Sequence, residues 1–550
     1  MQDEFLDALR NPFFLFVSFS ALLSFCVVSS SAIGDAVELE FPAYRMAQYE
    51  LGGIQYGSKN NKVQYEAVSL DGQALRRCVV ALWRDVATRD IDDLLSSAVG
   101  ALLIVVPTDL DLLSPADKAL FSDMERRLAA TKSSDLAIYV TPTSEKILSV
   151  LGDITASTGK SATATQQLLN TVSANTFQFT STSSASNTPI TQTPSNVIAR
   201  LEGSDSSAST ILFVAHYDSH SLFPSYSVGS DSNGSGVVML LQLLSILRKF
   251  YENPTTRPAY NLVFAWTAAG KLNYQGTRAL IETLEKNTAA IIDNDKVELA
   301  ICIEGVGGPG RLHLHASKQP SEGTAAAQLL KRLKLAAPNE SVELVTKKIN
   351  LNAPQLNWEH ERFNIRKLPA VTISRYSSAE DVLRGSMLDT PSQISVDNLE
   401  RNIRIVAEAT LGYILALPET GFSSDPHVSS ASSILSRDAV DRHLLSHYIR
   451  QFASKSRPVA DVQATKAVAA NLAATVNSLT KTVTVEPVKL IDAQVYGITT
   501  DKLLAEQVKP AIFELFISAF IVLFLTAFYQ IVIRAQHTVE GSVGYLRKRV

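Results

Sequence analysis

A histidine and an aspartate stand two residues apart at the end of the run Ile211-Leu-Phe-Val-Ala-His216-Tyr-Asp218. The apolar stretch 211–215 reads as a buried strand, which delivers both polar side chains to its carboxyl end. There a histidine can ligate a metal while a carboxylate holds the other ring nitrogen and fixes its tautomer. Read alone, the pair is more simply an ordinary hydrogen-bonded histidine at a strand end. After a short loop comes Gly229-Ser-Asp231-Ser-Asn233-Gly234-Ser-Gly236, which opens an apolar helix. Asp231 stands where a carboxylate bridges two metals. A helix cap with turn glycines is the plainer reading of that segment. Two further segments follow apolar runs: Thr267-Ala-Ala-Gly270-Lys271-Leu-Asn-Tyr-Gln-Gly276, and Glu304 after 299–303.

Chemistry at strand ends requires strands that share a direction. Strand-like runs at 211–215, 261–265, 299–303, 311–315 and 370–374 alternate with helical runs such as 237–251 and 399–415. In the last, Leu399, Ile403, Val406 and Thr410 recur on one helical face. Strands separated by helices predict an α/β fold, a parallel-rich mixed sheet with helices on both faces. In such a sheet, ligands bind at the carboxyl edge of the strands. His216, Asp231 and Glu304 are therefore expected to converge there.

Around this domain the texture changes. Residues 35–196 read as an amino-terminal region of short strand-like and helical runs, with a buried strand at 98–107. It ends in a Ser/Thr-rich stretch, 153–196, expected as a surface loop. The α/β domain is placed at 197–418. Residues 419–508 are expected to form a helical or mixed connector to the membrane, including a helix at 459–479. No internal repeat is visible.

The ends are apolar. Residues 13–28 carry no charge and precede small residues, which suits a signal peptide over 1–34, although Asp3, Glu4 and Asp7 outnumber Arg10 before it. Residues 511–533 carry one charge, Glu514, and are long enough for a transmembrane helix. The following tail, 534–550, holds Arg534, Arg547, Lys548 and Arg549, and basic flanks favour the cytoplasm. A single-pass type I protein with a lumenal bulk follows. Its N-x-S/T candidates are Asn339 and Asn233, the latter disfavoured by its tight turn. Lys548 resembles part of a dilysine retrieval signal, with an ordinary positive flank as the plainer alternative.

Composition excludes other classes. Fifty basic against 54 acidic residues give a net charge of −4, which rules out a bulk polycation and direct nucleic-acid binding. Three cysteines, Cys26, Cys78 and Cys302, exclude a disulfide-dense scaffold and a cysteine zinc module. Cys78 and Cys302 lie in apolar runs and read as buried thiols ahead of a bridge.

The two glycine- and aspartate-bearing motifs together resemble the M28 zinc-peptidase family over 197–418. That resemblance makes His216 a metal ligand, Asp218 its orienter and Asp231 the bridging carboxylate. Matching Gly276 puts Gly270 at the general base and Lys271 at a ligand position. Glycine accepts no proton, and an ammonium repels a divalent cation. Glu304 stands where the family has an aspartate. The family's last ligand is a histidine, but residues 361–426 contain none; Arg375, Tyr376, Glu380 and Asp381 fill that region. His216, Asp218, Asp231 and Glu304 are thus vestigial metal-site positions. No catalytic residue, metal or cofactor is assigned, and Lys271 is expected to pair with Asp231 or Glu304.

The whole chain resembles the nicalin family, nicastrin-like proteins of the endoplasmic reticulum. The resemblance rests on Tyr44-Arg-Met-Ala-Gln-Tyr49, Val214-Ala-His-Tyr-Asp218, Asp231-Ser-Asn-Gly-Ser-Gly236, Gly270-Lys-Leu-Asn-Tyr-Gln-Gly276, Trp358-Glu-His-Glu-Arg-Phe363 and Arg401-Asn-Ile-Arg-Ile405. It implies a non-enzymatic scaffold in the endoplasmic reticulum membrane. The implied partners are a Nodal modulator-like lumenal protein and a small polytopic membrane protein, with the Sec translocon and ribosome joined through that complex. The implied task is biogenesis of multi-span membrane proteins. Two alternatives are an active metallo-aminopeptidase, which stoichiometric zinc in the lumenal domain would favour, and a receptor that holds peptides without cleaving them.

Overall fold

The computed structural model describes residues 38–508 and 511–547, apart from 71–76, 97–99, 132, 159–175, 183–187, 206, 287–295, 338–341, 418–433, 437 and 498–499. The signal-peptide segment with Cys26, the acceptor candidate Asn339 and the terminal Lys548 lie outside them. Among the described residues the strands form an eight-stranded sheet, a closed barrel and a three-stranded sheet.

Thr210–His216 lies inside the eight-stranded sheet. It pairs in parallel with Asn261–Thr267 on one side and Val297–Ile303 on the other, and Ala370–Ser374 extends the parallel run. Apart from Glu298, every residue of these four strands is buried. A parallel sheet covered on both faces needs apolar side chains on both, which is why the strands read as continuous runs. Helices Gly236–Glu252 and Val396–Ile414 share the core on one face. Gln275–Glu285 and Glu359–Ile365 share the other. Ser195–Leu201 pairs antiparallel with Asn261–Thr267, and His313–Ala316 with Ala370–Ser374, so the sheet is mixed.

The barrel contains Glu38–Arg45, Gln64–Ser69, Cys78–Leu82, Ala101–Val106, Ala137–Pro142, Thr176–Ser181 and Thr500–Val508. Alternate residues of Ala101–Val106 enter separate cores: Ala101, Leu103 and Val105 in one, Leu102, Ile104 and Val106 in the other. The second core is covered by Pro115–Ala130, a helix capped by Ser114 with proline at its first position. Cys78 and Cys302 are buried and free, in different cores.

Two stretches differ from expectation. The stretch 153–196 is not simply a loop: it contains the end of Glu145–Thr158, the barrel strand Thr176–Ser181 and the start of Ser195–Leu201. Phe177 and Phe179 are buried at alternate positions, and that two-residue period makes the polar segment a strand. The described part of 419–508 is more than a connector. It supplies helices Arg442–Phe452 and Val462–Leu479, then one strand to each sheet. Val483–Pro487 pairs with Ser195–Leu201, and Ala493–Val495 with Gln48–Leu51. Thr500–Val508 sits between Glu38–Arg45 and Thr176–Ser181.

Two residues after that last strand begins Ala511–Arg547, a helix of 37 residues, about 55 Å long at 1.5 Å per residue. Its window Ile517–Arg534 has a mean hydropathy of 2.0. Among the described residues it is the one helix long and apolar enough to cross a membrane.

Candidate functional site

The four parallel strands bring His216, Glu304 and the loop after Ser374 to one edge, and the turn Ser230–Ser235 faces the same edge. That turn begins at Gly229, whose φ of +58° lies in the left-handed region that favours glycine. A Cβ there would also sit 2.9 Å from Ser219 Cβ. Asn233, inside the turn, is 2% exposed and donates to the Asp218 carbonyl, so its amide is committed internally.

Glu304 is 1% exposed and carries two cations. Lys271 Nζ donates to Oε1 at 2.8 Å, as does Arg384 Nε at 2.8 Å, while Arg384 Nη2 donates to Oε2 at 2.9 Å. Of the two pairings open to Lys271, the fold selects Glu304. The Arg384 guanidinium lies 4.2 Å over the Trp358 ring, which in turn stacks on His315 at 4.1 Å. Burial alone would raise the Glu304 carboxyl, but Arg384 and Lys271 outweigh it and hold the group well below the usual carboxylate range.

Asp231 is fully buried and carries the third cation. Oδ1 accepts from the N–H groups of Gly307 at 2.6 Å and Gly308 at 3.1 Å. Oδ2 accepts from Arg375 Nε and, at 3.1 Å, from the Tyr376 hydroxyl.

His216 is not oriented by Asp218. Its Nδ1 lies 3.3 Å from Glu359 Oε2, and its ring meets Tyr274 edge-on at 5.7 Å. Glu359 Oε1 also accepts from the hydroxyls of Thr267 and Thr277. Asp218 instead closes the turn after Asn261–Thr267, accepting from Gly270 N at 2.7 Å and Lys271 N at 3.2 Å. A carboxylate two residues beyond a strand meets the neighbouring strand's loop more readily than a ring on its own strand. Burial raises the Asp218 carboxyl, opposed by His216 and those two N–H groups.

This donor set does not fit a pair of divalent ions. Bridging needs free carboxylate lone pairs, and those of Asp231 and Glu304 already face three cationic side chains. Among the described residues no group of three His, Cys, Asp or Glu is arranged to hold a metal ion. Gly270 leaves no room for a base either: a Cβ there would lie 2.2 Å from His216 Cγ.

Comparison with known proteins places this geometry. Residues 196–410 match the model of peptidase family M28. Nicalin of Caenorhabditis elegans is 46% identical over 566 aligned residues, covering 100% of both chains. The chain belongs to the nicalin family. The human BOS complex subunit NCLN is 34% identical over 434 residues, 78% of this chain and 77% of that one. The crystal structure of nicastrin, the gamma-secretase component, superposes with a TM-score of 0.56 at 11% identity. It covers 85% of this chain and 99% of its own, and so shares the fold.

The residues that fill the site in this nicalin-family chain come from places that carry no M28 motif. Arg375 stands directly after Ala370–Ser374, in the region where the M28 resemblance expects a histidine. Arg384 lies nine residues further on, in a stretch without periodicity. Glu359 belongs to the Trp358–Phe363 run, whose unusual composition was the available signal. Arg457 was invisible: fully buried, it donates to the carbonyls of Tyr217, Gly229 and Lys455 and pins the His216 and Gly229 turns together.

Buried titrating groups give a signed expectation. Burial lowers His220 and His315 to about 4 and His360 to about 3. Below their ordinary value of about 6.5 the unfolded chain binds protons that the folded one refuses, so stability falls as pH drops. Burial raises Glu125 to about 7, and burial with neighbouring Asp231 raises Asp389 to about 6. These two act in the opposite sense, gaining stability as pH falls toward the ordinary carboxylate range. Asp218, Glu361 and Glu486, also raised by burial, act in that same opposing sense, while Glu304, held low, adds to the loss below about 4.5. Removing the Glu125 contribution is therefore expected to make melting temperature fall more steeply, or rise less, below about pH 7 in Glu125→Gln than in the parent chain. An unchanged or shallower slope in that variant would contradict the assignment.

Proposed function

We propose that this chain is a non-catalytic, membrane-anchored scaffold whose peptidase-like domain has exchanged metal ions for its own cations. The observation that carries the reading is the neutralisation of Glu304 and Asp231 by Lys271, Arg384 and Arg375. With Gly270 at the base position, that position offers no group to take a proton from water. His216, Asp218, Asp231 and Glu304 then serve as buried polar structure.

The human relative's name, BOS complex subunit, supports membership in a multi-protein assembly. The family resemblance extends the reading to the endoplasmic reticulum membrane, with the bulk lumenal and the basic tail cytoplasmic. Its partners are then a Nodal modulator-like lumenal protein and a small polytopic membrane protein. The Sec translocon and ribosome follow through that complex, in biogenesis of multi-span membrane proteins. Affinity purification of the tagged full chain from detergent-solubilised microsomes tests this. Stoichiometric recovery of a large lumenal protein and a polytopic one is expected, together with protease protection of everything before the final helix in intact microsomes. Recovery of the chain alone, or digestion of its body with protection of its tail, would overturn the proposal.

A further inference from the structure

The loop after Ala370–Ser374 does more than carry two arginines into the site. It runs to Ser395, which caps Val396–Ile414, and on the way it crosses to the barrel. At the sheet edge Arg375 and Tyr376 bind Asp231, Arg384 binds Glu304, and Asp389 accepts from the N–H groups of Asp231 and Ser232 at 2.8 Å each. At the barrel the Ser386 hydroxyl and the Met387 N–H, the latter at 3.0 Å, donate to the buried Glu125 carboxylate in Pro115–Ala130. Met387 and Leu388 are 2% and 4% exposed and lie in the same apolar core as Phe121, Met124 and Leu128 of that helix. Thr390 and Ser392 both donate to Asp111, Ser392 at 2.7 Å.

Residues two apart in the strap therefore serve opposite bodies. Arg384 is held by the former metal carboxylate and Ser386 by the barrel. Between them Gly385 has a φ of +91°, a backbone state in which L side chains are strained. Segment 384–388 is too short for one end to release without disturbing the other. The barrel's strand Thr500–Val508 leads directly to Ala511–Arg547, so this joint lies between the membrane helix and the α/β sheet.

We propose that residues 375–392 form a latch that uses the emptied catalytic edge as its socket and couples the α/β sheet to the barrel that carries the membrane helix. Two arginines of the strap, with Lys271, take the electrostatic role of the lost cations. Two buried apolar side chains and Glu125 anchor its far end. The former active site then works as a mechanical joint that fixes how the scaffold's lumenal body sits on its anchor. The latch depends on these ion pairs and not on the absence of turnover, so it stands or falls separately from the non-catalytic reading.

Hydrogen exchange on the full chain in detergent micelles tests the coupling. In Arg384→Met, exchange is expected to rise roughly a hundredfold in the strap, the scale of breaking a buried ion pair. It should rise together in Pro115–Ala130, which Arg384 does not touch, while Thr210–His216 stays protected. Arg384→Lys should recover most of that protection. Opening of the strap with full protection of Pro115–Ala130 would overturn the latch. Should Arg384→Met fail to fold, Glu125→Gln reads the coupling from the barrel end: faster exchange at residues 271–274 and 304–308 is expected, and none there would overturn it equally.

Discussion

Glu304→Gln should destabilise the folded chain by about 3–5 kcal/mol, the cost of removing one partner from a buried ion pair. The amide keeps the shape but leaves Lys271 and Arg384, 10% and 9% exposed, without a counter-charge. The Lys271 backbone is held by Asp218, and the guanidinium is fixed over Trp358. Urea unfolding reads the effect as a lower midpoint at unchanged slope. The opposite sign would be informative: a free metal-ligating carboxylate in an apoenzyme is relieved by neutralisation. A stable or stabilised Glu304→Gln variant would therefore show that the cations do not neutralise it as described.

Placing a carboxylate at position 270, where we propose that a base is missing, should fail for a steric reason. In Gly270→Ala the new Cβ would meet His216 Cγ at 2.2 Å and Cβ at 2.4 Å, so the ring must leave Glu359. Overpacking of this kind costs about 1–3 kcal/mol. Gly270→Glu adds a further buried carboxylate beside Asp218 and Glu304, so its loss should exceed that of alanine. Neither variant, nor Gly270→Glu combined with Lys271→Glu, is expected to hydrolyse peptides. Alanine tolerated without loss would mean that His216 does not fill the space beside position 270.

The central fold was legible because its signal is local. Each parallel strand is an unbroken apolar run ending in a polar residue, and the topology follows from the helices between them. The barrel was not legible. Glu38–Arg45 finds its partner Thr500–Val508 across more than four hundred and fifty residues, and no local pattern announces such a pairing. The site was half legible for the same reason. His216, Asp231, Gly270 and Glu304 sit in motifs with fixed spacing. Arg375 and Arg384 sit in a strap whose path depends on a glycine turn and on a socket in another body. Spacing also assigned Asp218 to His216, whereas backbone N–H groups of the next strand's loop claim it. Lys271 could be foreseen because an ammonium among carboxylates must find one; which one was settled by geometry alone.

Hydrolysis of a broad panel of amino-acid amides by the purified full chain, with zinc added and with chelator, tests the central claim most directly. The expected result is no turnover above the rate without protein in either condition, and no stoichiometric zinc after desalting. A metal-dependent, chelator-sensitive activity that disappears in His216→Ala would contradict it and return the chain to the working peptidases.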